Sequence, residues 1–362
     1  MLLNAWIVDD AYITFRTVDN FVHGYGLTWN PAERVQVYTH PLWMFLVAAC
    51  YAVTSELFFT VIALSLVLTL AAWAVAWHIV TCNRKNASWY GVLLTLALLA
   101  SKALIDYASS GLESPLSYLL IALFIVNFST PPATGIRDNQ RRVALLFFIA
   151  ALAFVNRADT ILLYLPPLVY LLYQMRALPN GRLSGILLFA TAPAMCWLLF
   201  SLIYYGYPFP NTAYAKMIAT GFPIMWKVQR GLAYLANSMQ WDPASYTMLG
   251  LAGWFVWRRR SATGSMIMAG VLLYLLFVVY SAAAATHMSG RFFAVPLFAG
   301  ITLFVAGMPT VRLAKVAAAA LLLYLLISPV SALKFGTPFY HVYEQRSSYI
   351  DTKWYVGNEA PH

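Results

Sequence analysis

Charged residues are scarce in this sequence: Asp, Glu, Lys and Arg make up 10% of its 362 residues, whereas 61% are hydrophobic. A soluble domain has about 25% charged and about 45–50% apolar residues. One water-soluble core could not bury this much apolar surface. The composition therefore excludes an ordinary soluble protein and predicts an all-α polytopic membrane protein.

Several chemical signatures are also lacking. The three cysteines, Cys50, Cys82 and Cys196, have no paired spacing, which excludes a disulfide framework or a cysteine zinc site. No phosphate loop, dinucleotide fingerprint, HExxH motif or nucleophile elbow is present, so we expect no nucleotide cofactor. The net charge of +10 is not arranged as a long basic surface, so we expect no nucleic-acid partner.

Long apolar runs dominate the chain after its first forty residues. We predict about ten transmembrane helices from them, because a span needs roughly 17–25 apolar residues. The predicted spans are 57–80, 88–104, 115–128, 143–155, 160–173, 185–205, 245–257, 265–284, 292–307 and 316–333. A further helix at 41–54 is predicted to be interfacial, anchored at Trp43.

The basic residues orient these spans. Alternate connections hold 12 of the 23 Lys and Arg residues but only one acid, Asp138. By the positive-inside rule these connections face the cytoplasm. The opposite, extracytoplasmic face then carries 12 of the 13 acids. We therefore expect a multi-pass membrane protein whose active site lies on the extracytoplasmic face.

Residues 1–40 form a polar extracytoplasmic loop ahead of a transmembrane domain that ends at 333, followed by a tail at 334–362. Ten crossings leave both termini outside, so we expect a further helix before the loop and a longer tail. Residues 143–173 hold two short spans, which predicts that the turn at 156–159 lies at the floor of a cavity.

Asp9 and Asp10 begin a predicted helix that runs through Arg16 to about residue 21. A carboxylate here could act as a general base on an attacking hydroxyl or bind a divalent cation. The same acids could instead only cap the helix. No other metal site is predicted.

Other polar residues share the predicted outer face. Glu33, Tyr38 and His40 belong to the loop, Glu113 precedes a helix start, and Arg157 and Asp159 form the 156–159 turn. Structural roles stay open for two of them: Glu33 could form an ion pair at the surface, and His40 could have a purely structural role in its loop.

Cations on this face suit a lipid phosphate. Lys216 follows an aromatic segment that contains Asn211, and it could equally be a snorkelling lysine. Arg291, in the turn with His287, could bind a phosphate with two parallel hydrogen bonds. Acids, aromatic residues and cations around a membrane-level cavity favour sugar transfer from a lipid-phosphate donor.

Several blocks resemble bacterial GT-C-type glycosyltransferases, particularly the mycobacterial terminal arabinofuranosyltransferases and pilin arabinosyltransferases. The blocks are Asp9-Asp10-Ala11-Tyr12-Ile13-Thr14-Phe15-Arg16, Gly24-Tyr25-Gly26-Leu27-Thr28-Trp29-Asn30-Pro31, Glu33-Arg34-Val35, Tyr38-Thr39-His40-Pro41-Leu42-Trp43, Gly111-Leu112-Glu113, Arg157-Ala158-Asp159, the stretch 205–216, and His287-Met288-Ser289-Gly290-Arg291-Phe292.

The resemblance implies a GT-C fold, a polyprenyl-phosphate-linked arabinofuranose donor, and Asp9 and Asp10 at the catalytic centre. The set assigned to the donor phosphate is Lys216, Arg291, Arg16 and His287. The set assigned to the sugar or acceptor pocket is Glu33, Tyr38, His40, Glu113, Arg157, Asp159 and Asn211. The chain departs from the family at Ala284-Ala285-Thr286, where Gly-Gly-Asp is frequent, and at Ala158, where proline is frequent.

Two alternatives stay open. The chain could be a transporter or flippase of lipid-linked sugar, although transporters place their binding groups near the bilayer midplane. It could also be an inactive relative that only binds the donor, since Thr286 replaces an acid. The expected partners are the lipid-linked donor, a glycan or protein acceptor and membrane lipids.

Overall fold

A computed structural model describes residues 5–131, 136–175, 180–217, 223–281, 290–331 and 333, and in these ranges all regular secondary structure is helical. The fifteen α-helices are α1 Asp9–Val22, α2 Pro41–Thr54, α3 Phe58–Thr81, α4 Ala87–Ala100, α5 Lys102–Tyr107, α6 Ser114–Ser129, α7 Ile136–Asn156, α8 Ile161–Gln174, α9 Asn180–Tyr205, α10 Asn211–Met217, α11 Ile224–Trp241, α12 Pro243–Arg259, α13 Ala262–Ser281, α14 Ala294–Ala306 and α15 Val311–Ile327. Short 3₁₀ turns at Ala158–Thr160 and Arg291–Phe293 precede α8 and α14.

Each of the ten predicted spans corresponds to one of these helices, namely α3, α4, α6 to α9 and α12 to α15. Among the described residues, three helices are long and apolar enough to cross a membrane on length and composition: Phe58–Thr81, Ser184–Tyr205 and Ala262–Ser281. The all-helical membrane architecture is thus confirmed. The count of ten crossings stays a prediction.

Helix α14 forms the centre of the bundle. Eleven of its thirteen residues are buried, and it packs against α3, α4, α6, α12 and α13. Its sequence is apolar on every side, as expected for a helix surrounded by other helices. Because α14 begins just after Arg291 and ends at Ala306, it connects the two ends of the bundle.

The polar N-terminal region folds onto this bundle through α1 and α2, which pack against each other. Trp43 does not anchor α2 at a membrane interface, as its position in the sequence suggested. Its side chain is fully buried, and the indole Nε1 donates a hydrogen bond to the Gly111 carbonyl at 3.0 Å. The correction has a simple reason: an indole is equally suited to an interface and to a protein interior that offers an acceptor.

Gly111 lies in a tight approach between α1 and the loop before α6. Its φ of +81° favours glycine, and a Cβ there would lie 2.9 Å from the Ala11 Cβ. The Val8 N–H also donates to the Ser110 carbonyl at 3.0 Å. These contacts hold Glu113 directly beneath the start of α2.

Helix α7 corrects the length argument for the 156–159 turn. It contains 21 residues, which at 1.5 Å per residue is about 31 Å. The hydrophobic run starting at 143 is therefore only part of the helix, because α7 begins with a polar, arginine-containing turn at 136. The depth of the 156–159 turn in the bilayer stays a prediction.

The connection at 206–244 contains α10 and α11, which the sequence reasoning did not identify. Helix α11 has polar residues throughout, and its buried side includes Gly231 and Tyr234. The buried positions Gly231, Tyr234, Ser238 and Trp241 recur at helical spacing, a signal that a search for long apolar runs does not detect. The predicted tail at 334–362 lies outside the described residues.

The packing of α13 on α8 gives a test of the fold. A Cβ added to Gly270 would lie 2.1 Å from the Leu163 carbonyl oxygen, whereas one added to Gly253 meets nothing within 4 Å. We expect Gly270→Ala to lower the free energy of unfolding by about 1–3 kcal/mol, since overpacking forces backbone shifts. Thermal unfolding of the purified protein in detergent measures this. Gly253→Ala is the matched control, with a change of less than about 1 kcal/mol; equal melting temperatures for the two variants would contradict the packing.

Candidate active site

A cavity of about 680 Å³ opens where six segments of the chain meet. This volume lies in the range of small-molecule sites, roughly 300–1,000 Å³. Its walls combine apolar and aromatic side chains with a few charged ones. The lining residues are Asp10, Ile13, Thr14, Val37, Tyr38, Thr39, His40, Arg157, Ala158, Asp159, Phe209, Pro210, Thr212, Ala213, Tyr214, Phe277, Val278, Ser281, Arg291 and Phe292.

Asp10 and Arg291 form an ion pair at the edge of this cavity. The Arg291 Nη1 donates to the Asp10 Oδ2 at 2.8 Å. The Arg291 side chain is 9% exposed and that of Asp10 39% exposed, so the acid remains open to the cavity. The two residues are 281 positions apart in the chain.

Glu113 is the most deeply buried acid of the site, with a residue exposure of 1%. It lies behind the cavity wall and contacts three cationic or titratable side chains from three segments. Its Oε1 accepts from the Arg157 Nη1 at 2.7 Å, and its Oε2 lies 3.2 Å from the His40 Nδ1 and 3.8 Å from the Arg291 Nη2. A buried carboxylate is stable only with such partners.

Opposing effects act on the ionisation of Glu113. Burial alone raises the pKa of its carboxyl, but His40, Arg157 and Arg291 outweigh it and hold the pKa well below its usual range. The carboxylate form therefore persists. The Glu113 Oε2 faces the His40 Nδ1 at 3.2 Å.

Arg157 links Glu113 to Asp159. Its guanidinium donates from Nε to the Asp159 Oδ1 at 2.8 Å and from Nη2 to Oδ2 at 3.0 Å, which is the bidentate geometry typical of arginine and carboxylate. The guanidinium also lies 4.3 Å from the centre of the Phe292 ring. Burial lowers the pKa of Arg157, but the nearby acids more than compensate and raise it well above its usual value.

The backbone at 156–160 is fixed by hydrogen bonds that explain this placement. The Asn156 Nδ2 donates to the Glu113 carbonyl at 3.2 Å and to the Ser117 Oγ at 2.8 Å. The Thr160 Oγ1 donates to the Arg157 carbonyl at 2.7 Å. The turn between α7 and α8 is thereby tied to the start of α6.

Two predicted pocket residues line the cavity from the loop before α2. The His40 Nε2 lies 2.9 Å from the Thr14 Oγ1. The Tyr38 hydroxyl donates to the Tyr205 hydroxyl at 2.9 Å, since the latter donates to the Leu27 carbonyl. Burial raises the pKa of Tyr38 well above its usual value, so its phenol is a neutral wall of the pocket.

Four other predicted residues are not among those that line the cavity. Arg16 donates to the Trp29 carbonyl at 3.0 Å and stacks 4.3 Å from the Trp29 ring, so it fastens the loop. Glu33 is exposed and lines no part of the cavity. Asn211 begins α10 and donates its backbone N–H to the Gln36 carbonyl at 3.3 Å. Asp9 is exposed, and its Oδ1 accepts from the Asp10 N–H at 2.9 Å.

Two predicted phosphate ligands cannot be placed. His287 lies outside the described residues, and for Lys216 only the backbone, in α10, is described. Within the described ranges, no group of three or more His, Cys, Asp or Glu side chains is arranged to hold a metal ion. The divalent cation at Asp9 or Asp10 stays a prediction.

Sequence reasoning missed three contributors to the site. Thr14 lies one helical turn after Asp10 on the same face of α1, and this spacing of four was a usable signal. Tyr274, within α13, donates to the Asp159 Oδ2 at 3.3 Å. Phe292 lies between the two arginines, with its ring centre 5.6 Å from the Arg291 guanidinium carbon. An aromatic residue in an apolar run gives no comparable signal.

The Glu113 cluster predicts a specific dependence of stability on pH. A lowered folded-state pKa means that the contribution of Glu113 is complete above its unfolded pKa of about 4.3 and is lost as pH falls through the folded value. We expect Glu113→Gln to lower the free energy of unfolding at pH 7 by about 3–5 kcal/mol, since it leaves buried cations without their acid.

Thermal unfolding as a function of pH measures both effects. The variant should lose part of the acid destabilisation that the parent protein shows below about pH 4.3. The exposed Glu33→Gln is the matched control, with a change within about 0.5 kcal/mol. If the unfolding temperatures of the parent protein and of Glu113→Gln depended on pH in the same way, the buried carboxylate would not contribute to stability as proposed.

Comparison with known proteins supports the assignment of the fold. No family model matches the chain. Among curated proteins, it is 28% identical over 244 residues to the terminal β-(1→2)-arabinofuranosyltransferase of Mycobacterium tuberculosis, a match of 64% of this chain and 37% of that protein. The Corynebacterium glutamicum protein of the same name is 28% identical over 239 residues, covering 58% and 33%. The match thus spans about a third of the length of these relatives.

Solved structures give a similarity over most of the chain. Crystal structures of ArnT from Cupriavidus metallidurans, one bound to undecaprenyl phosphate and one in the apo state, superpose with a TM-score of 0.56 at 16% identity. Each superposition covers 90% of this chain; it covers 62% of the ArnT chain in the bound structure and 61% in the apo structure. The chain therefore has the GT-C-type fold of ArnT and is related in sequence to the terminal arabinofuranosyltransferases, as its motifs implied.

Proposed function

We propose that this protein is a glycosyltransferase that moves a sugar, D-arabinofuranose, from a polyprenyl-phosphate donor to a hydroxyl of a cell-surface glycan or protein. The observation that carries the proposal is the Asp10–Arg291 pair at the edge of a cavity with charged and aromatic walls. The relatives' names support the sugar, and the ArnT structure bound to undecaprenyl phosphate supports the lipid carrier.

The pair supplies the two functions that the reaction needs. The leaving group is a lipid phosphate, and the Arg291 guanidinium suits its oxygens because it can donate two parallel hydrogen bonds. The acceptor is a hydroxyl, and the Asp10 carboxylate can take its proton as the bond to the sugar forms. When the phosphate replaces Asp10 as partner of Arg291, the carboxylate is freed for that role.

The aromatic walls fit the rest of the donor. Phe292, Phe277, Phe209 and Tyr214 line the cavity with apolar faces, against which the C–H face of a furanose or the first isoprene unit can pack. Thr212 lines the same wall, and its buried Oγ1 has no hydrogen-bond partner among the described residues, so it is available to a sugar hydroxyl.

The charge of the cluster indicates that another cation takes part. Asp10, Asp159 and Glu113 carry three negative charges, whereas Arg157 and Arg291 carry two positive ones. The departing lipid phosphate carries further negative charge. Lys216, on the helix whose first residues line the cavity, is the predicted source of the missing positive charge.

We place the protein in the bacterial inner membrane with the cavity facing the periplasm or cell exterior. The opposite end of the bundle carries Arg84, Lys85, Arg258, Arg259 and Arg260, which the positive-inside rule assigns to the cytoplasm. A donor that is presented on a lipid requires no cytoplasmic nucleotide at this site.

The first test compares the two neighbouring acids. Purified protein is incubated with polyprenyl-phosphoryl-arabinose and hydroxyl acceptors, and product formation is followed. We expect Asp10→Asn to reduce kcat by roughly 10²–10⁴-fold, the usual contribution of a general base, and to retain donor binding. The matched variant Asp9→Asn, altered at an exposed neighbour, should lose less than about tenfold.

Other results of this assay would distinguish a glycosyltransferase from an inactive relative and from a flippase. Full activity in Asp10→Asn would remove this acid from the mechanism. Donor binding without transfer in the parent protein would favour an inactive relative that holds the lipid-linked sugar, and movement of intact donor between leaflets of a vesicle would favour a flippase.

The second test concerns the phosphate. We expect Lys216→Ala to raise the KM for the donor by about tenfold or more, the equivalent of about 1.4 kcal/mol, and to leave the KM for the acceptor unchanged. Lys227→Ala, in the following helix, serves as the control. An unchanged donor KM in Lys216→Ala would show that the lysine only anchors its helix.

A further inference from the structure

A second polar cavity lies at the end of the bundle opposite the candidate active site. It has a volume of about 380 Å³ and forms where α3 and α12 end, α4 begins, and the α14–α15 connection passes. Its lining includes Arg84, Lys85, Tyr90, Arg259 and Met308. Helix α14 runs between the two cavities, and its 13 residues set them about 20 Å or more apart.

This second cavity has cations in its wall but no acid. Arg84, Lys85 and Arg259 line it, and neither Asp nor Glu is among its lining residues. Arg84 and Arg259 line the same cavity, and the pKa of Arg84 is lowered, chiefly by burial and also by the charge of Arg259, although Tyr90 opposes the shift. An uncompensated group of like charges favours a bound anion.

The three cationic side chains of the second cavity differ in their contacts. Arg84 is held by the protein: it donates to the carbonyls of Ala306 and Met308 at the end of α14, and it stacks 4.2 Å from the Tyr90 ring centre. Lys85 and Arg259 are exposed, and within the described part of the chain neither side chain forms a hydrogen bond or an ion pair. Arg84 therefore closes the base of the cavity, and the other two face what enters it.

Apolar side chains beside the cavity indicate what kind of anion it takes. Trp89 is 41% exposed in the first turn of α4, next to the lining residue Tyr90, and Trp257 is 76% exposed in the last turn of α12, at the same end of the bundle. Val316 in α15 is 61% exposed, next to Lys315, whose Nζ lies 4.8 Å from the Trp89 ring centre. Exposed indoles at this level are typical of the membrane interface, where acyl chains meet headgroups. A small soluble anion has no apolar part that could pack against these side chains.

We propose that this second cavity binds the phosphate of an anionic membrane phospholipid, with Lys85 and Arg259 as its ligands and the neighbouring indoles against its acyl chains. Basic pockets between transmembrane helices on the cytoplasmic side are suited to such headgroups. The lipid would fasten the ends of α3, α4 and α12 to one another, in place of the acid that the cluster lacks. The site is independent of the sugar-transfer cavity.

The test measures lipid retained by the purified protein in native mass spectrometry. Detergent-solubilised protein is equilibrated with equal amounts of phosphatidylglycerol and phosphatidylcholine. We expect preferential retention of phosphatidylglycerol, and a loss of about 30-fold in its affinity in the double variant Lys85→Gln/Arg259→Gln, since a basic residue near a lipid headgroup contributes about 1 kcal/mol.

Two controls make the result decisive. Arg141→Glu changes the net charge by the same two units at an exposed site on α7 and should leave lipid retention unchanged. Without added lipid, the double variant should unfold at the same temperature as the parent protein or at a higher one, because the substitutions remove like charges from one cavity; this result shows that the fold is intact.

Three results would overturn the proposal. One is equal retention of the two lipids, and another is an equal loss in Arg141→Glu and the double variant. The third is displacement of phosphatidylglycerol by millimolar inorganic phosphate or glycerol 3-phosphate, which would show that the cavity takes a free anion rather than a lipid.

Discussion

The burial of the Glu113 carboxylate is the constraint on which the candidate active site depends. A negative charge at 1% exposure requires cationic partners within a few ångströms, and the fold supplies them from three separate segments. His40 comes from the start of α2, Arg157 from the turn after α7, and Arg291 from the turn before α14. The contacts that stabilise the buried Glu113 carboxylate thus bring together segments of the chain that form the cavity.

Asp10 is positioned by the same arrangement. Arg291 lies within ion-pair distance of both Glu113 and Asp10, so one guanidinium joins a fully buried acid to one that faces the cavity. Arg157 joins Glu113 to Asp159 in the same way. The paired acids of the site therefore differ in role: Glu113 holds the cations in place, and Asp10 remains accessible to a substrate.

The helical scaffold was largely predictable from the sequence, because apolar runs of helical length leave few alternatives in a membrane protein. The convergence of Asp10, His40, Arg157, Asp159 and Arg291 was also predictable, since charge asymmetry assigned them to one face. Pairings within that face were not, because hydropathy carries no information on side-chain direction. Arg16 was therefore grouped with the phosphate ligands although it fastens a loop, and Trp43 was assigned to an interface although it is buried. Helix α11 was missed because a search for long apolar runs does not detect an amphipathic helix, although its buried residues recur at helical spacing.

The most direct measurement is an experimental structure of the protein with a polyprenyl phosphate bound. The account predicts that the lipid phosphate lies in the cavity at hydrogen-bond distance, about 3 Å, from the Arg291 guanidinium, with the Asp10 carboxylate turned towards the open part of the site. A phosphate bound elsewhere on the molecule, with the Asp10–Arg291 contact intact, would contradict it.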